Sequence, residues 1–247
     1  MRAKHLFSLM LAIAFFAVAT LGGVYFYGNL REKPAPPPPP EITYISPYVE
    51  LSPYDHHFRD AADSIGWDWK LIAAIAFTES RFDSTATSGV GACGVMQVMP
   101  GTLRGMGIPD SLHMDTRTNI MAATNLLAYL DNLYGRIPDF NERANFILAS
   151  YNAGAGHIGD AMNLAQKHGC PRYVWENNVD TFLILKRQPE YYTDSVCKNG
   201  SFNDWQQTLS FVKKVKRHWN RFNRKQLQYN DSITLLLASD TTIRIKQ

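Results

Sequence analysis

With 247 residues, the chain is long enough for one sizeable domain plus flanking segments. Its 25 lysines and arginines against 22 aspartates and glutamates leave a net charge of only +3, which permits attraction to an anionic polymer without requiring it. There is no dense basic stripe interleaved with aromatics, so nucleic acid is not an expected partner, and no internal repeat organises the sequence.

Residues 1–30 read as a membrane-targeting segment. Arg2 and Lys4 precede an apolar run from Leu6 to about Tyr27, roughly the length that spans a bilayer as a helix. Arg31 and Lys33 add positive charge on the far flank, so the charge rule gives only a slight bias toward an inside N-terminus and an exported remainder. A cleaved signal peptide is the competing reading, because Ala17-Val18-Ala19 forms an A-x-A site. Hydrophobicity that continues through Leu21, Val24, Tyr25 and Phe26 favours the retained anchor. No cysteine lies near the segment, so a lipid-modified anchor is not expected. Residues 31–53 follow as a proline-rich linker and approach segment, in which Lys33–Pro40, KPAPPPPP, is a stiff polyproline spacer.

A first helix is expected over Tyr54–Ile65, with Phe58, Ala61, Ala62 and Ile65 on one face and Gly66 as its breaker. Asp68 then caps an apolar helix in which Leu71, Ile72, Ile75 and Ala76 recur at helical spacing. Glu79 comes seven residues after Ile72 and so shares that face. A carboxyl group on an apolar stripe is costly to ionise, and its pKa should rise. That is what a general acid working near neutral pH requires. Spacing alone equally allows a glutamate at a helix end that simply reaches water.

Residues 81–100 read as loop, where Gly89, Gly91 and Gly94 let the backbone approach a ligand or take positive φ. Residues 101–115 continue irregularly. Ile120, Ala123, Leu127, Leu130 and Tyr134 mark a packing helix over Thr118–Tyr134. Asn141 is the expected cap of the next helix, which places Ala144, Ile147, Leu148 and Tyr151 on one face and breaks at Tyr151–Gly154. A short helix over Asp160–Ala165 and a last one over Thr208–Phe222 complete the pattern. Lys213, Lys214, Lys216 and Arg217 give that last helix a basic side, which in most proteins is a solvated face. Within Tyr229–Gln247 the apolar, β-branched run Ile233–Leu237 fits either packing on the domain or a partner strand.

Of the three cysteines, Cys170 and Cys197 lie together in the late region and are the expected disulfide in an exported chain, leaving Cys93 over. No histidine is placed by sequence to activate Cys93 as a nucleophile. The seven histidines include His56-His57 but no H-E-x-x-H spacing, so neither a metal nor another cofactor is expected.

Three motifs occur in order: Glu79-Ser80 with Ser88 nine residues after the glutamate, Gly94-Val95-Met96-Gln97-Val98-Met99-Pro100, and Ala149-Ser150-Tyr151-Asn152-Ala153-Gly154-Ala155-Gly156. Over about Tyr54–Phe222 the chain resembles lytic transglycosylases of the soluble-lytic-transglycosylase (SLT) type, its later part most like the catalytic module of the membrane-bound F-type enzymes. Tyr191-Tyr192, within Trp175–Tyr192, fits that family's late segment. The resemblance implies a mostly α, lysozyme-like (goose-type/SLT) domain over residues 54–225 behind the N-terminal anchor, with 226–247 a tail of unknown role. It implies peptidoglycan glycan strands as partner and a periplasmic place at the inner membrane.

The resemblance also assigns roles. Glu79 would be the single acid/base. Ser88 would orient the substrate N-acetyl group, and Gln97 would supply an amide to the glycan. Met96 and Met99 would form an apolar wall, although a methionine such as Met96 equally fills core gaps. Tyr151 would point toward Glu79, with a buried core tyrosine as the alternative, and Asn152 would tie the turn. Gln207 stands where family members often carry a glutamate. The implied reaction breaks the MurNAc–GlcNAc bond without water and leaves a 1,6-anhydro end. A hydrolytic muramidase or chitinase using Asp83 as a second carboxylate is one rival, and a glycan-binding tether in an envelope assembly is another.

Overall fold

The computed structural model describes residues 2–29 and 38–246. They belong to two units, residues 1–44 with 242–244 and residues 45–241 with 245–247.

The first unit holds α1 (Arg2–Asn29). Its described apolar side chains, among them Met10, Leu11, Ile13, Phe15, Phe16 and Leu21, are exposed. Among the described residues no helix is long and apolar enough to cross a membrane, so the anchor remains a reading of the sequence. Arg31 and Lys33, which flank the apolar run, lie outside the described residues, as does the linker up to residue 37. Near the end of this unit the Thr43 N–H donates to Thr242 O at 3.0 Å.

The second unit is helical throughout apart from loops and strand residues at its margins. α2 (Asp55–Ile65) stops at Gly66, whose φ of 70° takes the left-handed conformation that glycine adopts without penalty. α3 (Trp69–Ser80) starts at Asp68, whose side chain accepts from the Lys70 N–H. Residues Leu71, Ile72, Ala73, Ala74, Ile75 and Ala76 are all fully buried, so α3 is apolar on every side and sits at the centre of the domain. Leu71, Ile72 and Ile75 each contribute about 2 kcal/mol by leaving water, and the alanines between them let neighbouring helices come close.

Those neighbours are α2 and the long α10 (Trp205–Ser239). The Phe77 and Phe222 rings meet edge to face at 6.0 Å, and Trp219 Nε1 donates to Asp68 Oδ2 at 2.7 Å. α5 (Thr116–Leu133) packs on α2 and on α6 (Phe140–Ala153). α6 also meets α10 and α7 (Ala155–Lys167), which carries α8 (Asp180–Leu185); the single turn α9 (Pro189–Tyr192) follows before α10.

Several boundaries differ from expectation for local reasons. Residues 100–105 form a short helix, α4 (Pro100–Gly105), where irregular chain is expected. Pro100 is pre-set for the first helical turn, and Leu103 is drawn fully into the core. α5 begins at Thr116 because Asp115 caps it, accepting from the Thr118 N–H at 2.8 Å. Asp139, not Asn141, caps α6, accepting from the Glu142 N–H at 2.7 Å. α6 runs on through Tyr151 and Asn152, and Gly154 ends it with φ 88°.

At the C-terminus, residues 226–239 continue α10, so Ile233–Leu237 follows the packing alternative, as helix rather than strand. No glycine or proline interrupts the chain between Phe222 and Ser239, and this stretch carries its own tertiary bonds. Gln226 accepts from Val49 N at 3.1 Å and donates to Pro47 O at 3.0 Å, the Tyr229 hydroxyl donates to Ser46 O at 3.0 Å, and Ile233 is buried.

The expected Cys170–Cys197 disulfide is also absent, and all three cysteines are free thiols. The Cys170 thiol faces its own turn, with His168 O at 3.9 Å, and burial pushes the Cys197 thiol pKa up, which keeps it protonated.

One polar cluster in the core has no signal in the sequence. Lys186 is fully buried, and its Nζ donates to Asp160 Oδ2 at 2.5 Å with His157 Nδ1 at 3.1 Å. Asp160 also accepts from the backbone N–H groups of Lys198 and Asn199. Burial pushes its carboxyl up, but these bonds outweigh burial and hold it below the ordinary range.

Candidate active site

The centre of the site is the C-terminal end of α3. Glu79 is the penultimate residue of that helix and is half-buried. Burial alone raises its carboxyl from the ordinary 4.5 to about 8. The helix is stopped sharply beyond it. Arg81 and Phe82 both take left-handed backbone, with φ of 59° and 70°, at a cost of about 1–3 kcal/mol each for residues with a side chain. Phe82 offsets its share by packing its ring against Phe77 at 5.3 Å and Phe58 at 5.9 Å. The abrupt stop keeps Glu79 at the surface end of an otherwise buried helix.

The 94–98 loop is pinned against this end. Ser80 Oγ donates to Val95 O at 2.7 Å. The Tyr151 hydroxyl, at the end of α6, donates to Met96 O at 2.8 Å. Tyr151 stacks on Phe211 of α10 at 6.4 Å and 8°. Its own pKa is pushed well up, first by burial and then by Glu79, so the phenol stays neutral. Sequence spacing alone leaves open what Tyr151 meets; the fold spends its hydroxyl on the 94–98 loop and its ring on α10.

Asn119 holds the loop from below, a role that periodicity does not reveal. Fully buried, it accepts from Met96 N at 2.9 Å and donates to Cys93 O at 3.0 Å and His113 O at 3.2 Å. A Cβ on Gly94 would lie 2.6 Å from the Asn119 carboxamide, and Gly94 has φ 75°, so glycine is required there on both counts. The one signal in the sequence is a polar residue on the Asn119, Ala123, Leu127, Leu130 stripe of α5, which in a buried helix must find partners.

The remaining expected site residues separate into accessible and internal groups. Met99 is 44% exposed and free to meet a ligand, whereas Met96 is fully buried. Met96 is therefore core, corrected from a wall residue, and its backbone rather than its side chain serves the site. Gln97 takes a positive φ of 51° and spends both amide hydrogens inside the loop, on Ala86 O at 3.0 Å and Gly94 O at 2.9 Å, leaving its oxygen rather than its N–H groups for a ligand. The Ser88 hydroxyl accepts from Ala92 N at 2.9 Å, closing the turn that carries it and keeping its own hydrogen for donation. Asn152 Oδ1 accepts from the Thr208 hydroxyl at 2.9 Å, tying α6 to the first turn of α10. Asn152 and Thr208 line a cavity of about 360 Å³ together with His157, Asp204 and Gln207.

Asp83 is exposed and accepts from the Thr85 N–H and hydroxyl, bonds that hold its carboxyl below the ordinary range. It staples a turn. Among the described residues no group of three histidine, cysteine, aspartate or glutamate side chains is placed to hold a metal ion.

The comparisons with known proteins fall on this same region. Residues 56–171 match the family model described as Transglycosylase SLT domain. The membrane-bound lytic murein transglycosylase F of Desulfosudis oleivorans is 32% identical over 179 residues, which is 72% of this chain and 38% of that protein. The protein of the same name from Maricaulis maris is 36% identical over 146 residues, 58% of this chain and 31% of that one. The chain thus spans little more than a third of the curated relatives it matches. The 70 kDa soluble lytic transglycosylase of Escherichia coli is a solved structure with 24% identity and a TM-score of 0.45, covering 69% of this chain and 24% of that one. The residues that match the transglycosylase SLT domain model are the ones that carry Glu79, the 94–100 loop and Tyr151.

Proposed function

We propose that the chain is a peptidoglycan lytic transglycosylase with Glu79 as its single acid/base. The observation that carries this reading is the Glu79 carboxyl itself, raised to about 8 by burial with no charged neighbour contributing. At pH 7 such a group is mostly protonated and can donate to a glycosidic oxygen. Protonated Glu79 gives its proton to the oxygen between N-acetylmuramic acid and N-acetylglucosamine. The charge that develops at the anomeric carbon is met by the substrate's own N-acetyl group, which the Ser88 hydroxyl orients. Glu79, now a base, takes the proton of the muramic C6 hydroxyl, whose oxygen closes on the anomeric carbon as a 1,6-anhydro ring. No water enters, so the reaction is a lyase step.

The names of the relatives support the substrate class. The commitment of Asp83 to Thr85 supports one carboxylate rather than two, since a glycosidase pair needs both acids facing the scissile bond. Tyr151 positions the loop through Met96 O and adds an uncharged wall beside Glu79. In this reading residues 54–225 form the catalytic domain, and the apolar run of α1 holds it at the outer face of the inner membrane in the periplasm.

The test is a digest of purified peptidoglycan by the full chain and by Glu79→Gln, with products read by mass. Anhydro-ended muropeptides lost in the variant support the proposal. Products heavier by one water indicate a hydrolase, and binding without products indicates a tether.

A further inference from the structure

Between Asp204 and Asp231 the chain has no acidic residue, yet α10 carries Lys213, Lys214, Lys216, Arg217, Arg221, Arg224 and Lys225 there. Lys216 is turned aside, donating to Asn145 Oδ1 at 2.8 Å. At about 100° per residue the other six fall within an arc of about 120°, away from the buried Phe211, Val215 and Phe222. All six are exposed. They extend about 18 Å along the helix.

A seventh cation joins from a different element. The Arg81 guanidinium, just past the end of α3, lies 5.6 Å from the centre of the Phe77 ring, and the Arg221 guanidinium lies 5.5 Å from the same centre. The His218 ring is 4.8 Å from Phe77, and its Nδ1 is buried without a hydrogen-bond partner. Burial lowers the His218 pKa, and Arg221, Arg217, Arg81 and Lys214 lower it further. Among the described residues neither Arg81 nor any of the six makes an ion pair. Like charges gathered without counterions destabilise the folded state, so the arrangement is one that an external polyanion neutralises.

The composition of the face selects the kind of polyanion. Between residues 213 and 225 no large apolar side chain is exposed; the first beyond it is Leu227. The face therefore lacks the apolar wedge with which a basic helix lies into a lipid surface. Its arginine forks match carboxylates in bidentate geometry. Arg81 follows Glu79 by two residues, which sets the cluster beside the end of α3 that carries the proposed acid.

We propose that this face of α10, with Arg81, is an accessory binding surface for the carboxylates of the peptide side chains on the glycan strand. It holds the polymer while Glu79 acts on it. This assignment rests on the glycan-cleaving reading above.

The test uses the full chain with Lys214→Gln, Arg217→Gln and Arg221→Gln combined, beside a charge-keeping Lys214→Arg, Arg217→Lys, Arg221→Lys control. Each is assayed on peptide-bearing peptidoglycan and on strands stripped of peptides by an amidase. The expected result is a KM at least tenfold higher for the Gln variant on peptide-bearing material. Its kcat, its activity on stripped strands and the control should match the unmodified chain, and the difference should shrink at high salt. Unchanged KM overturns the proposal, as does an equal loss on both substrates with the control active. Loss of binding to vesicles of anionic phospholipid, with binding to peptide-bearing strands intact, overturns it in favour of a membrane surface. Failure of the unmodified chain to cleave either substrate counts instead against the catalytic reading.

Discussion

Replacing Glu79 by glutamine should stabilise the protein, by an amount that depends on pH. The folded chain holds the Glu79 proton up to about pH 8, whereas an unfolded chain releases it near 4.5. Between those values the folded state binds more protons than the unfolded one, so stability is full below 4.5 and is lost as pH rises through the folded value. At about 1.4 kcal/mol per pH unit, this window sets a ceiling of about 5 kcal/mol. Relaxation and water reaching the half-buried side chain reduce it, so about 2–3 kcal/mol is expected at pH 8. For a domain of this size that is a rise in Tm of about 4–12 °C. The assay is thermal or urea unfolding of the full chain and of Glu79→Gln from pH 4 to pH 9. The curves should nearly coincide at pH 4 and diverge upward in pH, the variant being the more stable. Parallel curves across that range would refute the claim that burial of this carboxyl, rather than some other feature of the helix end, sets its chemistry.

Other residues give independent checks. Asn119→Ala leaves the Met96 N–H and the Cys93 and His113 carbonyls without their partner, and should cost about 3 kcal/mol in urea unfolding. Gly94→Ala, which drives a methyl group into the same carboxamide, should cost a similar amount and should not add fully to Asn119→Ala, since the two share one contact. Lys186→Met strands the buried Asp160 carboxylate and should cost about 3–5 kcal/mol at neutral pH. Because Asp160 is held below the ordinary carboxylate range in the intact pair, the stability it contributes is present above that range and lost as pH falls. The penalty of the variant should therefore shrink in acid melts. Asp83→Asn should leave turnover of peptidoglycan close to that of the unmodified chain; a loss as deep as that of Glu79→Gln would restore the two-carboxylate hydrolase.

Much of the helical frame, and the residue at its centre, is legible in the amino-acid sequence. Asp68, Gly66 and the Leu71–Ala76 run mark the bounds and the burial of α3, because capping and periodicity act within a few residues of sequence. Glu79 on that stripe implies a carboxyl that resists ionisation. The boundaries that differ do so for local causes carried by single side chains: Asp115 and Asp139 cap the helices they precede. At the C-terminus, β-branched residues at Ile233 and Thr234 suggest a strand by propensity, whereas α10 is held helical by contacts of Gln226, Tyr229 and Ile233 with distant chain.

The sequence by itself determined a mostly helical domain, a buried acid at a helix end, a glycine-punctuated loop after it and an apolar N-terminal run. Each follows from composition and periodicity, which short-range forces translate directly into local structure. Tertiary structure alone decided which side chains hold the loop that follows Glu79. Tyr151 reaches the loop across 55 residues and Asn119 clamps it across 23, and Met96 is withdrawn into the core while Met99 stays outside. It also gathered Arg81 with the cations of α10 and buried Lys186 against Asp160. Such pairings depend on how helices cross, and the crossing is set by the packing of whole apolar faces rather than by any one segment.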